Sequence, residues 1–378
     1  MNFGKLTQYI DSLKDKYDIP ACDLVVSYNS QIVYRHMAGH SDLAKSKKVS
    51  ENDLYFLYSA TKVITCTAAL RLIDKGLMKL EDKVCIYLPE FSNMLVSDES
   101  GTYASEKNMT IKDLFTMCAG LTYNLNSDNI QKVKKTLGDS ATTRDIVRAI
   151  AKDHLIFEPS THFNYSLCHD VLGAVIEVVS GMSLGEYFNE NIFKPLGMYN
   201  TTFKITPEVL NRISQQYYYD NNLRKSIPMD KTNEYIITPS YESGGAGLVS
   251  CPNDYIKFAQ ALSNYGVSKD GYKVLSKDAV DLMRKNHLDS VCQKDFETKC
   301  NKVGYGYGLG VRTLIEKEKS GAKSPIGEFG WDGAAGAYTF IDPENNIAAF
   351  YIHHIRNCNV GYDVIHPTIR DLVYEIIL

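Results

Sequence analysis

Ser59-Ala-Thr-Lys62 follows an aromatic and aliphatic run, Asp53-Leu-Tyr-Phe-Leu-Tyr58, and opens Val63-Ile-Thr-Cys-Thr-Ala-Ala-Leu-Arg-Leu-Ile-Asp-Lys75. That second run has helical periodicity and stops at Gly76, a natural C-terminal cap. The pattern puts Ser59 at a helix N-terminus and Lys62 one turn later on the same face. A serine hydroxyl needs a base to become a nucleophile, and an amine three residues on can supply one. Backbone N–H groups in a first helical turn have no intrahelical partner, so one can stabilise an oxyanion.

Two other serines compete. Ser320-Gly-Ala-Lys323 repeats the spacing, but inside a charged, Gly- and Pro-bearing stretch that reads as a solvated loop. Gly181-Met-Ser183-Leu-Gly185 fits the G-x-S-x-G elbow of α/β-hydrolases, which requires a strand before the serine. Here a helix precedes it, and Ser183 with Glu186 reads as a capping box.

Composition narrows the class. At 378 residues the chain can bury a large core and is expected to hold two subdomains. A net charge of −4 leaves no electrostatic footprint for nucleic acid. No apolar run is long enough to span a membrane. Residues 1–14 read as an amphipathic helix rather than a secretory signal, so a cytoplasmic location is expected. The nine cysteines are scattered without a C-x-x-C pair and are expected to be reduced, Cys292 and Cys300 included. The pairs His36/His40 and His353/His354 fit no ligand spacing, so neither a metal nor a cofactor is expected.

Strand signals occur at both ends, near residues 22–36 and again in 309–315, 336–342 and 347–354, with Tyr28-Asn-Ser-Gln31 as a hairpin turn. Between them the chain is mostly helical, with N-caps at Thr110 and Ser183. A last helix starts near Val364. This order predicts an α/β (α+β) domain built from both termini, residues 1–80 and 241–378, carrying a mostly helical subdomain over 81–240. The polar stretches 217–240 and 285–303 read as irregular loops that line or cover a site.

Three ordered segments carry a family resemblance: Phe56-Leu-Tyr-Ser59-Ala-Thr-Lys62; Phe157-Glu-Pro-Ser-Thr-His-Phe-Asn-Tyr165-Ser-Leu-Cys-His-Asp-Val-Leu-Gly173 with Lys194-Pro-Leu-Gly-Met198; and Phe329-Gly-Trp331-Asp-Gly333-Ala-Ala-Gly336. Ala119-Gly-Leu121, Gly244-Gly-Ala-Gly-Leu-Val-Ser250 and Tyr305-Gly-Tyr-Gly-Leu-Gly310 support them. Over roughly residues 20–355 the chain resembles the serine β-lactamase and penicillin-binding-protein superfamily, in particular its class C-like branch of esterases and transferases. The resemblance implies an antiparallel sheet flanked by helices, with the active site between that domain and the helical one.

Carried onto this sequence, the resemblance implies Ser59 as nucleophile, Tyr165 beside it as proton shuttle, and the N–H groups of Ser59 and Ala334 as the oxyanion hole. Gly333 lets the backbone approach a substrate closely. Lys62 acts as the base directly, or stays charged and holds Tyr165 as a phenolate. An unperturbed lysine is neutral only about once in 2,500 molecules at pH 7, so either role needs a shifted pKa.

Departures from the family pattern bear on substrate. Trp331 stands where β-lactam- and peptide-processing members usually carry a cation for a substrate carboxylate. Leu167 stands where β-lactamases carry an amide-binding Asn, and it cannot hydrogen-bond. Tyr123 and Asn124 lie where relatives contact the acyl side. Asp332 replaces a glycine and points to the opposite strand face from Trp331 and Gly333. The expected activity is hydrolysis of a small-molecule carboxylic ester through acyl-Ser59. The alternatives are an acyltransferase using the same intermediate, a D-amino-acid peptidase, transpeptidase or weak β-lactamase, and a sensor that is acylated without turnover.

Overall fold

The computed structural model describes residues 1–99 and 101–378. Its strands β1 (Ala21–Tyr28), β2 (Gln31–Gly39), β3 (Tyr305–Tyr307), β4 (Arg312–Leu314), β5 (Phe329–Asp332), β6 (Tyr338–Asp342) and β7 (Ile347–Ile352) form one seven-stranded antiparallel sheet in the order β2-β1-β7-β6-β5-β4-β3. Asn29 and Ser30 join β1 to β2 in left-handed conformations, with φ of 49° and 56°, as a tight hairpin requires.

Helices α1 (Gly4–Tyr17), α2 (Thr61–Asp74), α3 (Cys168–Ser180), α4 (Pro252–Ser263), α5 (Ser290–Cys300) and α6 (His366–Ile377) pack around this sheet or in the helical region beside it. The strand period of two sorts the sheet's side chains between its faces. Leu24, Val26, Ala349 and Tyr351 meet α1 and α6 through Leu6, Ile10, Ile369 and Val373. Val25, Phe350 and Ile352 turn to the other face with Tyr255 and Phe258 of α4, and the rings of Tyr255 and Phe350 stack at 4.3 Å. The central strands are therefore apolar on both sides.

Two loop expectations are corrected. Gln216–Asp220 and Lys225–Met229 form a hairpin that pairs with Ile355–Arg356. Tyr217 and Tyr219 of its first strand are buried and Tyr218 is exposed, an alternation hidden by three identical residues in a row. Residues 290–300 are the helix α5, capped by the Asp289 carboxylate on the N–H groups of Val291 and Cys292, and it buries Cys292 and Phe296. Among the described residues no single helix is long and apolar enough to cross a membrane.

Candidate active site

Ser59 sits in a tight turn at residues 58–60, from which α2 begins at Thr61. The preceding segment is fixed by the pairing of Tyr55 and Phe56 with Ser250 and Val249. The N–H of Leu57 donates to Leu248 O at 2.9 Å. Tyr58 takes a left-handed φ of 47°, a strained conformation for a bulky residue. Its ring is fully buried, and its hydroxyl accepts from Gln216 Nε2 at 2.9 Å and donates to Thr232 O at 3.2 Å. That turn aims the Ser59 side chain into a cavity of about 440 Å³.

Lys62 is completely enclosed. Its Nζ lies 3.3 Å from Ser59 Oγ, 3.0 Å from the Tyr123 hydroxyl and 2.8 Å from Gly245 O. Three acceptors match the three protons of an ammonium. In the neutral amine, Gly245 O still accepts and the lone pair faces a hydroxyl. Burial lowers the Lys62 pKa to about 8, while the negative charge of Asp170 works in the opposite direction.

Tyr165 precedes α3 on a segment bound to residues 117–122. The N–H of Asn164 donates to Met117 O at 2.9 Å and that of Leu167 to Thr122 O at 3.1 Å. The same contacts bring Tyr123 alongside, and the two rings stack at 5.6 Å. Lys62 Nζ lies 4.7 Å from the centre of the Tyr165 ring. Of the two phenol hydroxyls, it is that of Tyr123 to which Nζ hydrogen-bonds. Burial pushes the Tyr165 phenol well above its ordinary value, and hydrogen bonds from Ser59 and Trp331 offset this only in part.

Trp331 lies near the end of β5, its indole stacked on Tyr165 at 5.5 Å and met edge-on by Tyr307 at 5.2 Å. Its Nε1–H donates to the Tyr165 hydroxyl at 2.9 Å. One indole face is therefore covered by Tyr165, so a substrate stacked there would have to displace that ring. After β5 the chain turns through Gly333-Ala-Ala-Gly336, where the Gly336 N–H bonds Gly333 O at 2.8 Å. A Cβ on Gly333 would lie 2.2 Å from Leu57 O, so only glycine lets this turn sit against the Ser59 turn. Ala334 lines the cavity, and among the described residues nothing accepts its N–H.

Ser59, Tyr123, Tyr165, Trp331, Gly333 and Ala334 thus share one cavity, with Lys62 beneath it. Leu167 does not reach it. It is 3% exposed and packs in the core as the residue preceding α3. Asn124 is also outside the lining; its side chain accepts the Asn126 N–H at 3.0 Å in an exposed turn. Asp332, whose partner the sequence left open, meets Lys302 at 2.8 Å and Arg312 at 3.7 Å. Burial opposes its charge, but these two cations outweigh it and hold the carboxyl well below the usual range. Asp332 nonetheless forms part of the cavity wall.

The remaining wall comes from Tyr235, from Lys299, Cys300, Asn301 and Lys302 around the end of α5, and from Tyr362 and Asp363. No local motif announces them, because they converge from distant segments. The competing serines have other roles. Ser183 caps the helix Leu184–Phe188 by accepting the Glu186 N–H, and Glu186 answers on the Ser183 N–H. Lys323 is paired with Glu375, away from Ser320.

Residues 6–372 match the Beta-lactamase family model. Esterase EstB of Burkholderia gladioli is 28% identical over 341 residues, covering 84% of this chain and 81% of that protein. Lovastatin esterase of Penicillium rubens is 27% identical over 371 residues, covering 91% of this chain and 88% of that one. The solved structure of EstCE1, a hydrolase with promiscuous acyltransferase activity, superposes with a TM-score of 0.82 at 24% identity, covering 98% of both chains.

Proposed function

This chain belongs to the Beta-lactamase family and is a serine hydrolase, and from that premise we propose that it cleaves carboxylic esters through an acyl-enzyme on Ser59. The observation that carries this reading is the enclosed Lys62 amine 3.3 Å from Ser59 Oγ, with a pKa lowered to about 8. A neutral fraction of that amine accepts the Ser59 proton as Oγ attacks the ester carbonyl. The N–H groups of Ser59 and Ala334 hold the developing oxyanion. Tyr165, whose hydroxyl accepts from Trp331 and keeps its own proton for donation, protonates the departing alkoxide. The products are acyl-Ser59 and the free alcohol. Water then attacks the acyl group, giving its proton to the Tyr165 oxygen, while the Lys62 ammonium returns a proton to the departing Ser59 Oγ, so both groups regain their starting states and the acid is released. Lys62 is favoured over a Tyr165 phenolate because burial drives both groups toward their neutral forms.

The cavity supports an apolar acyl group. Tyr123, Tyr165, Tyr235, Trp331 and Tyr362 line it. The two lysines of its wall are engaged, Lys302 by Asp332 and Lys299 by Phe163 O at 2.6 Å. We place the site between the unit of residues 1–80 with 241–378 and the mostly helical unit of 81–240.

One observation favours acyl transfer as a second reading. Asn301, Lys302, Tyr362 and Asp363 also border a second cavity of about 310 Å³, room in which an acceptor alcohol can reach the acyl-enzyme. Steady turnover of a short-chain p-nitrophenyl ester after an initial burst, lost in Ser59→Ala, supports the hydrolase. Product analysis with added alcohols separates hydrolysis from transfer.

A further inference from the structure

Asp170 lies on the first turn of α3 and is 1% exposed, yet the reaction described above gives it no task. Its Oδ1 accepts three hydrogen bonds, from the Tyr241 hydroxyl at 2.6 Å, the Ser243 hydroxyl at 2.6 Å and the Gly245 N–H at 3.2 Å. Its Oδ2 is buried and, among the described residues, has no hydrogen-bond partner. Such a carboxylate is costly to bury unless something nearby compensates it.

The link from this carboxylate to the catalytic amine runs through one residue. Gly245, whose N–H bonds Asp170, presents its own carbonyl to Lys62 Nζ at 2.8 Å. The approach is tight enough to demand glycines. A Cβ on Gly245 would lie 2.4 Å from Asp170 Oδ2, and one on Gly244 would lie 2.5 Å from His169 O. Asp170, the 243–245 turn and Lys62 thus form one buried relay ending at Ser59.

We propose that Asp170 is a positioning residue for acylation: its carboxylate anchors the 243–245 turn that cradles the Lys62 amine and supplies the negative charge facing that amine. The surroundings leave it no rival. Cys66 faces Lys62 from α2, Tyr123 and Tyr165 from the two loops, and Cys168 and His169 from α3, while Tyr241, in the loop before the glycines, turns its hydroxyl to Asp170. Burial keeps the thiols of Cys66 and Cys168 protonated and His169 neutral. Asp170 is the one carboxylate among the described residues whose charge acts on Lys62.

This inference rests on acyl-Ser59 formation with Lys62 as base. The test is the pH dependence of the burst rate with p-nitrophenyl acetate, in wild type, Asp170→Asn and Tyr241→Phe. Asparagine keeps the shape and the acceptor oxygen but removes the charge that favours the ammonium. The midpoint of the rising limb should fall by about 1 pH unit or more. Tyr241→Phe strips one donor from the carboxylate and leaves its charge less satisfied, so the midpoint should move upward. Opposite shifts are the expected result. They separate the proposal from a packing defect, which would lower the burst rate without moving the midpoint in opposite directions. If Asp170→Asn does not fold, the Tyr241→Phe shift decides. Unmoved midpoints in folded variants overturn the role of Asp170, whereas absence of a burst in wild type overturns the acyl-enzyme reading on which it rests.

Discussion

The indole N–H of Trp331 donates to the hydroxyl of Tyr165 at 2.9 Å while the two rings stack at 5.5 Å. A residue whose type pointed to substrate choice therefore also fixes the rotamer of the proposed proton donor. Because the hydroxyl oxygen accepts from the indole, its own proton stays free for another acceptor. Trp331→Phe keeps an aromatic ring and removes only the donor. It should lower kcat for ester hydrolysis about five- to tenfold, the size of one lost hydrogen bond, with little change in melting temperature. An unchanged kcat would show that stacking alone holds Tyr165.

Lys62 and Tyr165 should separate kinetically. Lys62→Met should lose about 10² to 10⁴ in acylation, as expected when a general base is removed. Tyr165→Phe should slow both half-reactions if its hydroxyl serves both, and trap an acyl adduct if it serves only the second. The acylation rate in wild type should rise with pH and level off above about 8, following the Lys62 amine. A rate still climbing at pH 10 would show that neither group is tuned by its burial.

The same buried amine has a stability signature. Its folded-state pKa of about 8 lies below the ordinary value of 10.5, so between these values the unfolded chain binds more protons than the folded one. Wild-type stability therefore gains a rising component across that window, which Lys62→Met lacks. The melting temperature of Lys62→Met relative to wild type should be most favourable near pH 7 and should decline toward pH 10. A difference that is flat with pH would mean that Lys62 titrates normally.

Gly333 makes a backbone prediction. A methyl group there meets Leu57 O at 2.2 Å, and backbone cannot swing aside as a side chain can. Gly333→Ala should push the 333–336 turn away from Ser59, lowering the burst rate at least tenfold through loss of oxyanion stabilisation. Retention of full activity would remove Ala334 from the oxyanion hole.

Substrate preference follows from what faces the cavity. With Trp331 in place of a cation, and with Lys302 held by Asp332, kcat/KM for penicillins and cephalosporins should fall far below that for short esters. Comparable values would mean that Lys302 or Lys299 leaves its partner to bind a substrate carboxylate.

Much of this was legible locally. The Ser59 turn, the caps at Thr110 and Ser183 and the 28–31 hairpin are short-range patterns whose chemistry is written in neighbouring residues. What sequence missed depends on distant partners. The 216–229 hairpin is masked by Tyr217-Tyr-Tyr219 and by Pro228, and only its packing against α1 and α6 gives the alternation meaning. Helix α5 is polar nearly all round, with two buried side chains, so its periodicity was faint. Leu167 was placed by analogy with an amide-binding residue, but an apolar side chain there finds the core more favourable than the cavity. Asp170 did leave a signal, the one carboxylate in the first nine residues of a largely apolar run, Cys168 to Ile176, but its partner Gly245 is far along the chain.

The central claim is that catalysis passes through an ester bond to Ser59. Intact-mass analysis of enzyme quenched during turnover of p-nitrophenyl acetate, followed by peptide mapping, tests it directly. The account predicts one acetyl group per chain, located on Ser59, absent in Ser59→Ala and unaffected by Ser183→Ala. An adduct on another residue, or full turnover by Ser59→Ala, would contradict it.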